Sequence, residues 1–206
     1  LHDLGKLPIK IKAIKEGTLV PVKTPVMTIE NTHKDFFWLT NYLETIILSE
    51  IWQPMTSATI SLQFRKLLDE YAIKTTGSTD GVDFQAHDFS MRGMNGLESA
   101  SRSGAGHLLS FLGTDTIPSI LFLEAYYGAD VEKDSVGFSI PATEHSTMSA
   151  MTDSKSRDEY EAYKRLITEI YPRGMVSVVS DTYNFWENIE TVLPKLKEEI
   201  MKRDGK

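Results

Sequence analysis

From Val82 onward, short apolar runs that end in polar residues alternate with longer segments of helical period. VDFQAHDF reads as a strand and LESASRSGAGHLLSFLG as a helix rich in small residues. GTDT follows as a short strand or turn. PSILFLEAYYG then reads as a helix, with Pro118 in its first turn and Gly128 just past its end. VGFSI is a strand, EHSTMSAM starts a helix, and RDEYEAYKRLITEIY is an amphipathic helix stopped at Tyr171-Pro172. MVSVVSD reads as a continuous buried strand, and FWENIETVLPKLKEEIMKR as a helix kinked at Pro194. Strands that alternate with helices imply βαβ units and a parallel sheet. A closed βα barrel takes about 250 residues. Residues 81–206 are therefore expected to form the first part of a βα barrel, incomplete at the C-terminal side.

The first 80 residues differ in pattern. LPIKIKAI alternates apolar and polar residues, Glu16-Gly17 turns the chain, and TLVPV and VMTIE follow as strands. Prolines among them suggest short or edge strands. Asn31-Thr32 offers a cap for DFFWLTNYLETIILSEIW, which is apolar on most faces and so is expected to be a buried helix. Pro54 ends that helix or opens the next, which runs from about Ser57 to Tyr71. The polar loop TTGSTDG over 75–81 is a plausible boundary. The expected class is α/β: a β-rich and helical segment over 1–80, then the partial barrel over 81–206.

Composition excludes several partners. The net charge of −7 argues against general binding of nucleic acid or an anionic membrane, although a local site can still take a small anion. Cysteine is absent, which removes disulfides, thiolate chemistry and zinc–thiolate sites and fits a cytoplasmic setting. No apolar run approaches the ~20 residues that cross a bilayer. The chain opens LHDLGKLPIKIKAI without Met, so it is expected to be a fragment or a processed piece.

The unusual polar residues share one location. His87-Asp88, Asp115, Ser139 with His145, and Ser180-Asp181 all fall at or just past C-terminal strand ends. In parallel α/β folds that edge faces the ligand. Each has an ordinary alternative: His87-Asp88 as a solvated loop pair, Asp115 as an N-cap, Asp181 as a cap of the helix near Tyr183. Glu144 equally suits a helix N-terminus, and His145 a buried core histidine. In AHDFSMRG, Phe89 and Arg92 lie three apart past a strand. An aromatic face stacks on planar heterocycles, and Arg engages phosphate. Alternatively Phe89 plugs the barrel mouth and Arg92 pairs with a carboxylate. No Walker A, GxGxxG, HExxH or nucleophile elbow is present, and the five histidines lack metal-ligand spacing. No residue is expected to hold a metal.

AHDFSMRG, FLGTDTIPSILFLEAYYG, GFSIPATEHSTMSA and VSVVSDTYNFWENI, in that order and spacing, resemble the nicotinamide phosphoribosyltransferase family. LPIKIKAIKEG, TIENT and WLTNYLETIILSEIWQPMTSAT look like the same family, so the resemblance covers essentially the whole chain. The nicotinate phosphoribosyltransferases are the nearest confusable group. The resemblance implies a glycosyltransferase of NAD salvage. Such an enzyme moves phosphoribosyl from phosphoribosyl pyrophosphate to nicotinamide, giving nicotinamide mononucleotide and pyrophosphate. It also implies Mg2+ on the pyrophosphate, ATP as co-substrate, and a homodimer that shares its site.

Carried over by resemblance, Phe89 stacks on the pyridine, Arg92 is the cation on the base and phosphate side, and Asp115 accepts the amide N–H of nicotinamide. Ser139 and Ser177 line the pocket near the pyridine. His145 is the histidine phosphorylated by ATP, Asp181 its acidic neighbour, and Glu144 assists. Ser90 and Met91 stand where the family has glycine and tyrosine. The chain is expected to hold the pyridine half of the site and the phosphohistidine, without the phosphoribosyl half. The isolated piece is then expected to be inactive, or a non-catalytic binding or assembly module.

Overall fold

The computed structural model describes residues 1–204 and is mixed α/β, with two small two-stranded sheets among many helices. The chain divides into two compact units, Leu1–Phe138 and Ser139 onward.

In the first unit, β1 (Ile9–Ala13) pairs antiparallel with β2 (Met27–Asn31), and Ile11 lies opposite Ile29. The alternation of LPIKIKAI is thus realised. TLVPV forms no strand: Pro21 and Pro25 offer no N–H to a ladder. The segment turns instead, through Thr24 N–H to Pro21 O at 3.2 Å and Lys23 at φ 71°.

Helix α1 (Leu39–Thr76) is a single 38-residue helix that runs straight through Pro54, where two helices were expected. Proline in a helix interior removes one hydrogen bond and costs about 3 kcal/mol. Contacts with α2 (Leu97–His107) offset it. Ser57 Oγ donates to Ser103 O at 2.7 Å, Ser99 Oγ to Gln53 Oε1 at 2.5 Å, and Arg102 pairs with Glu50 at 2.7 Å. Gly106 lets the backbones approach: a Cβ there would lie 2.6 Å from Pro54 O. Gly77, at φ 77°, closes the helix with its N–H on Ile73 O.

The expectation that this helix is buried does not hold within the unit. Only Leu39, Ser61 and Ala72 are buried, and Tyr42, Trp52 and Phe64 are each more than half exposed. A helix of this length extends about 57 Å at 1.5 Å per residue, and the much shorter α2 covers one part of one face.

The expected strand VDFQAHDF contracts to β3 (His87–Asp88), because Val82–Phe84 forms a 3₁₀ turn. Arg65 holds that turn through Asp83 at 2.5 Å and Ser110 O at 3.0 Å. β3 pairs in parallel with β4 (Gly113–Thr114), and Gly113 bridges in parallel to Phe138. The ladder comprises Asp115 N–H to Asp88 O at 2.9 Å, Thr114 N–H to Phe138 O at 2.8 Å and Phe138 N–H to Leu112 O at 2.7 Å. Helix α2 connects β3 to β4, and α3 (Pro118–Tyr127) connects β4 to Phe138. This is the expected strand–helix–strand order, drawn with very short strands. His107, at the end of α2, joins three elements. Its Nε2 lies 3.1 Å from Gly113 O, its Nδ1 lies 3.3 Å from Ser61 Oγ, and its ring stacks on Phe111.

In the second unit, α4 (His145–Met151) and α5 (Tyr160–Arg165) precede a π-helical turn over Leu166–Ile170. The last expected helix is divided: α6 (Phe185–Glu187), a π turn over Asn188–Val192, α7 (Leu193–Lys195) and α8 (Lys197–Lys202). The π turn ends two residues before Pro194, whose missing N–H breaks the regular ladder. Met148, Tyr163, Leu166, Ile167, Val192 and Leu196 form the core, with Val178 and Val179 packed against it. MVSVVSD pairs at one position only, Ser177 with Ala142, in parallel.

Two outcomes follow from α2. Gly106→Ala places a methyl against the α1 backbone and is expected to cost about 1–3 kcal/mol, read as a lower urea midpoint. Burial holds the His107 pKa below its usual 6.5. The folded chain then binds that proton less readily than the unfolded chain. Its stabilising contribution is complete above the unfolded pKa of about 6.5 and is lost as pH falls below that through the lower folded value. Melting curves of His107→Phe are expected to fall less steeply than the parent's between about pH 7.5 and 5.5; parallel profiles would show that His107 does not carry this dependence.

Candidate active site

The polar residues gather into two constellations, one in each unit. In the first, Asp88 Oδ1 accepts the Ser90 N–H at 2.8 Å and turns the chain out of β3. Phe89 sits at the turn with φ −108° and ψ 14°, and its ring is 51% exposed. The 3₁₀ turn Ser90–Gly93 carries Arg92 into solvent. Arg92 stands in none of the ion pairs found among the described residues. One face of Phe89 rests on His87, with ring centroids 4.5 Å apart and planes at 31°.

Asp115 follows β4, and the ladder bond of its N–H to Asp88 O places it beside β3. Its Oδ1 lies 3.0 Å from His87 Nε2. The capping alternative for Asp115 also fails. Thr114 Oγ1 accepts the Thr116 N–H at 3.0 Å, and the α3 cap, Ile117, makes no side-chain bond. His87-Asp88 is no solvated pair either: Asp88 is buried and the His87 side chain is 9% exposed.

In the second constellation, His145 opens α4 and Glu144 is its cap residue, with an exposed side chain that makes no capping bond. His145 Nε2 lies 3.1 Å from Asp181 Oδ1, and both side chains are about two-thirds exposed, 67% and 69%. The core-histidine alternative for His145 is therefore overturned. Asp181 caps nothing: Asn184 caps α6 by accepting the Glu187 N–H at 3.3 Å. Val178, Ser180, Asp181 and Phe185 line a shallow depression beside the pair. Ser177 is half-buried and tied by its backbone, N–H to Pro141 O at 2.9 Å and its O to Thr143 N–H at 3.0 Å. Ser139 is exposed.

The support beneath Asp181 was not legible in the sequence. Asn188 Nδ2 donates to Ser180 O at 2.8 Å and to the buried Glu159 Oε2 at 2.6 Å. Tyr163 OH donates to Ser180 Oγ at 2.6 Å, and Thr143 Oγ1 accepts the Val179 N–H at 2.9 Å. Burial pushes the Tyr163 pKa up. The only sequence sign was an asparagine inside an apolar helical run.

An exposed ring next to an anchored carboxylate can hold a planar heteroaromatic amide. An exposed imidazole with a carboxylate on one nitrogen can use the other as a nucleophile or base. Among the described residues no three acidic or histidine side chains converge to hold a metal ion.

Residues 84–206 match the nicotinate phosphoribosyltransferase (NAPRTase) family. The chain belongs to that family. It is similar to a nicotinamide phosphoribosyltransferase of Acinetobacter baylyi, 49% identical over 98% of this chain and 39% of the relative. A protein of the same name from Xanthomonas campestris pv. campestris is 40% identical over 96% of this chain and 41% of its own length. One from Mycoplasma genitalium is 36% identical over 98% and 42%. The chain thus spans about two-fifths of the length of the curated relatives it matches.

Asn188→Ala removes a donor from a buried carboxylate and from the strand end that presents Asp181. The expected loss is about 2–3 kcal/mol in urea unfolding, with faster amide exchange around Ser180.

Proposed function

We propose that the whole protein transfers phosphoribosyl from phosphoribosyl pyrophosphate to nicotinamide, and that this chain supplies the pyridine side of the site. The observation that carries the reading is Asp115, a carboxylate anchored by His87 next to the exposed ring of Phe89. The names of the similar proteins support it. The pyridine nitrogen attacks ribose C1′, the C1′–O bond breaks, and its electron pair leaves with pyrophosphate. Charge develops on the ribose, so positioning and electrostatics supply most of the catalysis. Phe89 stacks on the pyridine, and Arg92 draws the phosphate side. Asp115 accepts the amide N–H, with Ser139 and Ser177 near the ring.

The family description names nicotinate, which makes the acid the second reading. Asp115 favours the amide. Two carboxylates about 4 Å apart repel by about 4 kcal/mol at an effective dielectric of 20.

His145 is read as the acceptor of the γ-phosphoryl group of ATP. With Asp181 on Nε2, the P–N bond forms at Nδ1, the P–O bond to the β-phosphate breaks, and ADP leaves with the electron pair. Asp181 then keeps the Nε2–H aligned, and Glu144 stands next to the phosphoryl group. Mg2+ belongs to the pyrophosphate on this reading. The described residues offer it no cluster, and no step is assigned to it. The parallel strand–helix units are read as the opening of a βα barrel, in a homodimer that shares its site.

Calorimetry on the whole protein tests the reading. Nicotinamide should bind saturably and nicotinate weakly. Asp115→Ser should weaken nicotinamide at least about tenfold, the loss of one charge-assisted hydrogen bond. Equal affinity for both ligands in the parent would sink the amide assignment.

A further inference from the structure

The reading above uses His87 only as a partner of Asp115, yet it touches both groups that would recognise the pyridine. Its side chain is 9% exposed, and it is the first of the two residues of β3. Nε2 lies 3.0 Å from Asp115 Oδ1, and the ring lies 4.5 Å from that of Phe89. A carboxylate accepts and does not donate, so Nε2 carries the hydrogen. Nδ1 is buried and has no partner among the described residues. Gly113 makes room for it, since a Cβ there would lie 2.8 Å from Nδ1. A core histidine with no further task would be expected to satisfy both nitrogens, as His107 does through Gly113 O and Ser61 Oγ.

We infer that His87 is a specificity-determining positioning residue for a pyridine carboxamide. Asp115 is 41% exposed, and an aspartate at that exposure can turn about χ1 and χ2. The His87 N–H holds the carboxylate in one orientation. A carboxylate has about four lone-pair directions, so one engaged by His87 retains acceptor capacity for an amide N–H. The same imidazole supports the buried face of Phe89, so the stacking surface and the acceptor are set relative to each other by a single side chain. A ligand that stacks on Phe89 is then presented to a fixed acceptor. A carboxylate ligand would meet the same fixed negative charge.

The inference rests on Asp115 as the amide acceptor, and the test separates the two. His87→Phe keeps an aromatic ring and removes the N–H. His87→Gln keeps an N–H and removes the ring. Both are compared with Asp115→Ser and with the His87→Phe/Asp115→Ser double variant, by calorimetry on the whole protein with nicotinamide and nicotinate. His87→Phe is expected to weaken nicotinamide about tenfold and to lower the nicotinamide-to-nicotinate ratio. His87→Gln should recover part of both, and covers the case in which the Phe variant does not fold. In the double variant, loss of His87 should add little to loss of Asp115. A full His87→Phe effect that persists without Asp115, or equal losses for both ligands, overturns the inference and leaves a merely structural histidine. Unchanged affinity in Asp115→Ser overturns the underlying reading as well. Loss in Asp115→Ser with none in either His87 variant overturns the role of His87 alone.

Discussion

The first unit depends on how closely other backbones approach α2. Two of its glycines leave no space for a side chain. A Cβ at Gly104 would collide with Ser119 Oγ of α3, and one at Gly106 would lie 2.6 Å from Pro54 O of α1. Serines complete the seam: Ser57 donates to Ser103 O, and Ser119 to Ala100 O at 3.4 Å. Small residues allow polar backbone groups to be buried against each other with partners, where larger apolar ones would hold the helices apart. Because α2 is clamped on both sides, the strands at its two ends are held at a fixed separation. The first carries Asp88 and the second leads into Asp115.

Very little sheet is needed to place these groups. Two residue pairs in β3 and β4, and one bridge to Phe138, supply a short row of backbone hydrogen bonds. Parallel pairing aligns strand direction, so residues just beyond the pairing emerge at one edge. Asp115 N–H on Asp88 O is the last bond of the row. It sets the positions from which Phe89 and Asp115 project. The second unit applies the same economy: the single Ser177–Ala142 pair leads to His145 on one side and Asp181 on the other.

Periodicity and edge position made much of this legible in the sequence. The strand–helix order after Val82, the hairpin strand IKIKA, and Pro118 and Gly128 at the ends of α3 are local features with local causes. That Asp115 follows a short strand was readable for the same reason. What was not readable depended on distant partners. Pro54 reads as a helix break because nothing near it in sequence announces α2. The exposure of α1 could not be read either, because an apolar helix does not specify how much of it a neighbour covers. The π turns over Leu166–Ile170 and Asn188–Val192 are invisible in a 3.6-residue pattern. Asn188 looks like an ordinary helical residue until Glu159 is found against it.

The groups assigned to chemistry are exposed, and the polar atoms that hold them are buried and incompletely satisfied. Phe89, His145 and Asp181 face solvent. Beneath them, His87 Nδ1, Asp88 Oδ2 and Glu159 Oε1 are buried without a partner among the described residues. A buried polar atom left unpaired costs about 1–3 kcal/mol, so stability alone would not keep three of them at these positions. Each belongs to a side chain whose other polar atom is engaged: Nε2 of His87 on Asp115, Oδ1 of Asp88 on the Ser90 N–H, and Oε2 of Glu159 on Asn188. The unpaired atom is the consequence of orienting the paired one. Rigid support of this kind brings an exposed ring, carboxylate or imidazole to one position before a ligand arrives. Local stability is thereby given up beneath the exposed groups in exchange for fixed geometry.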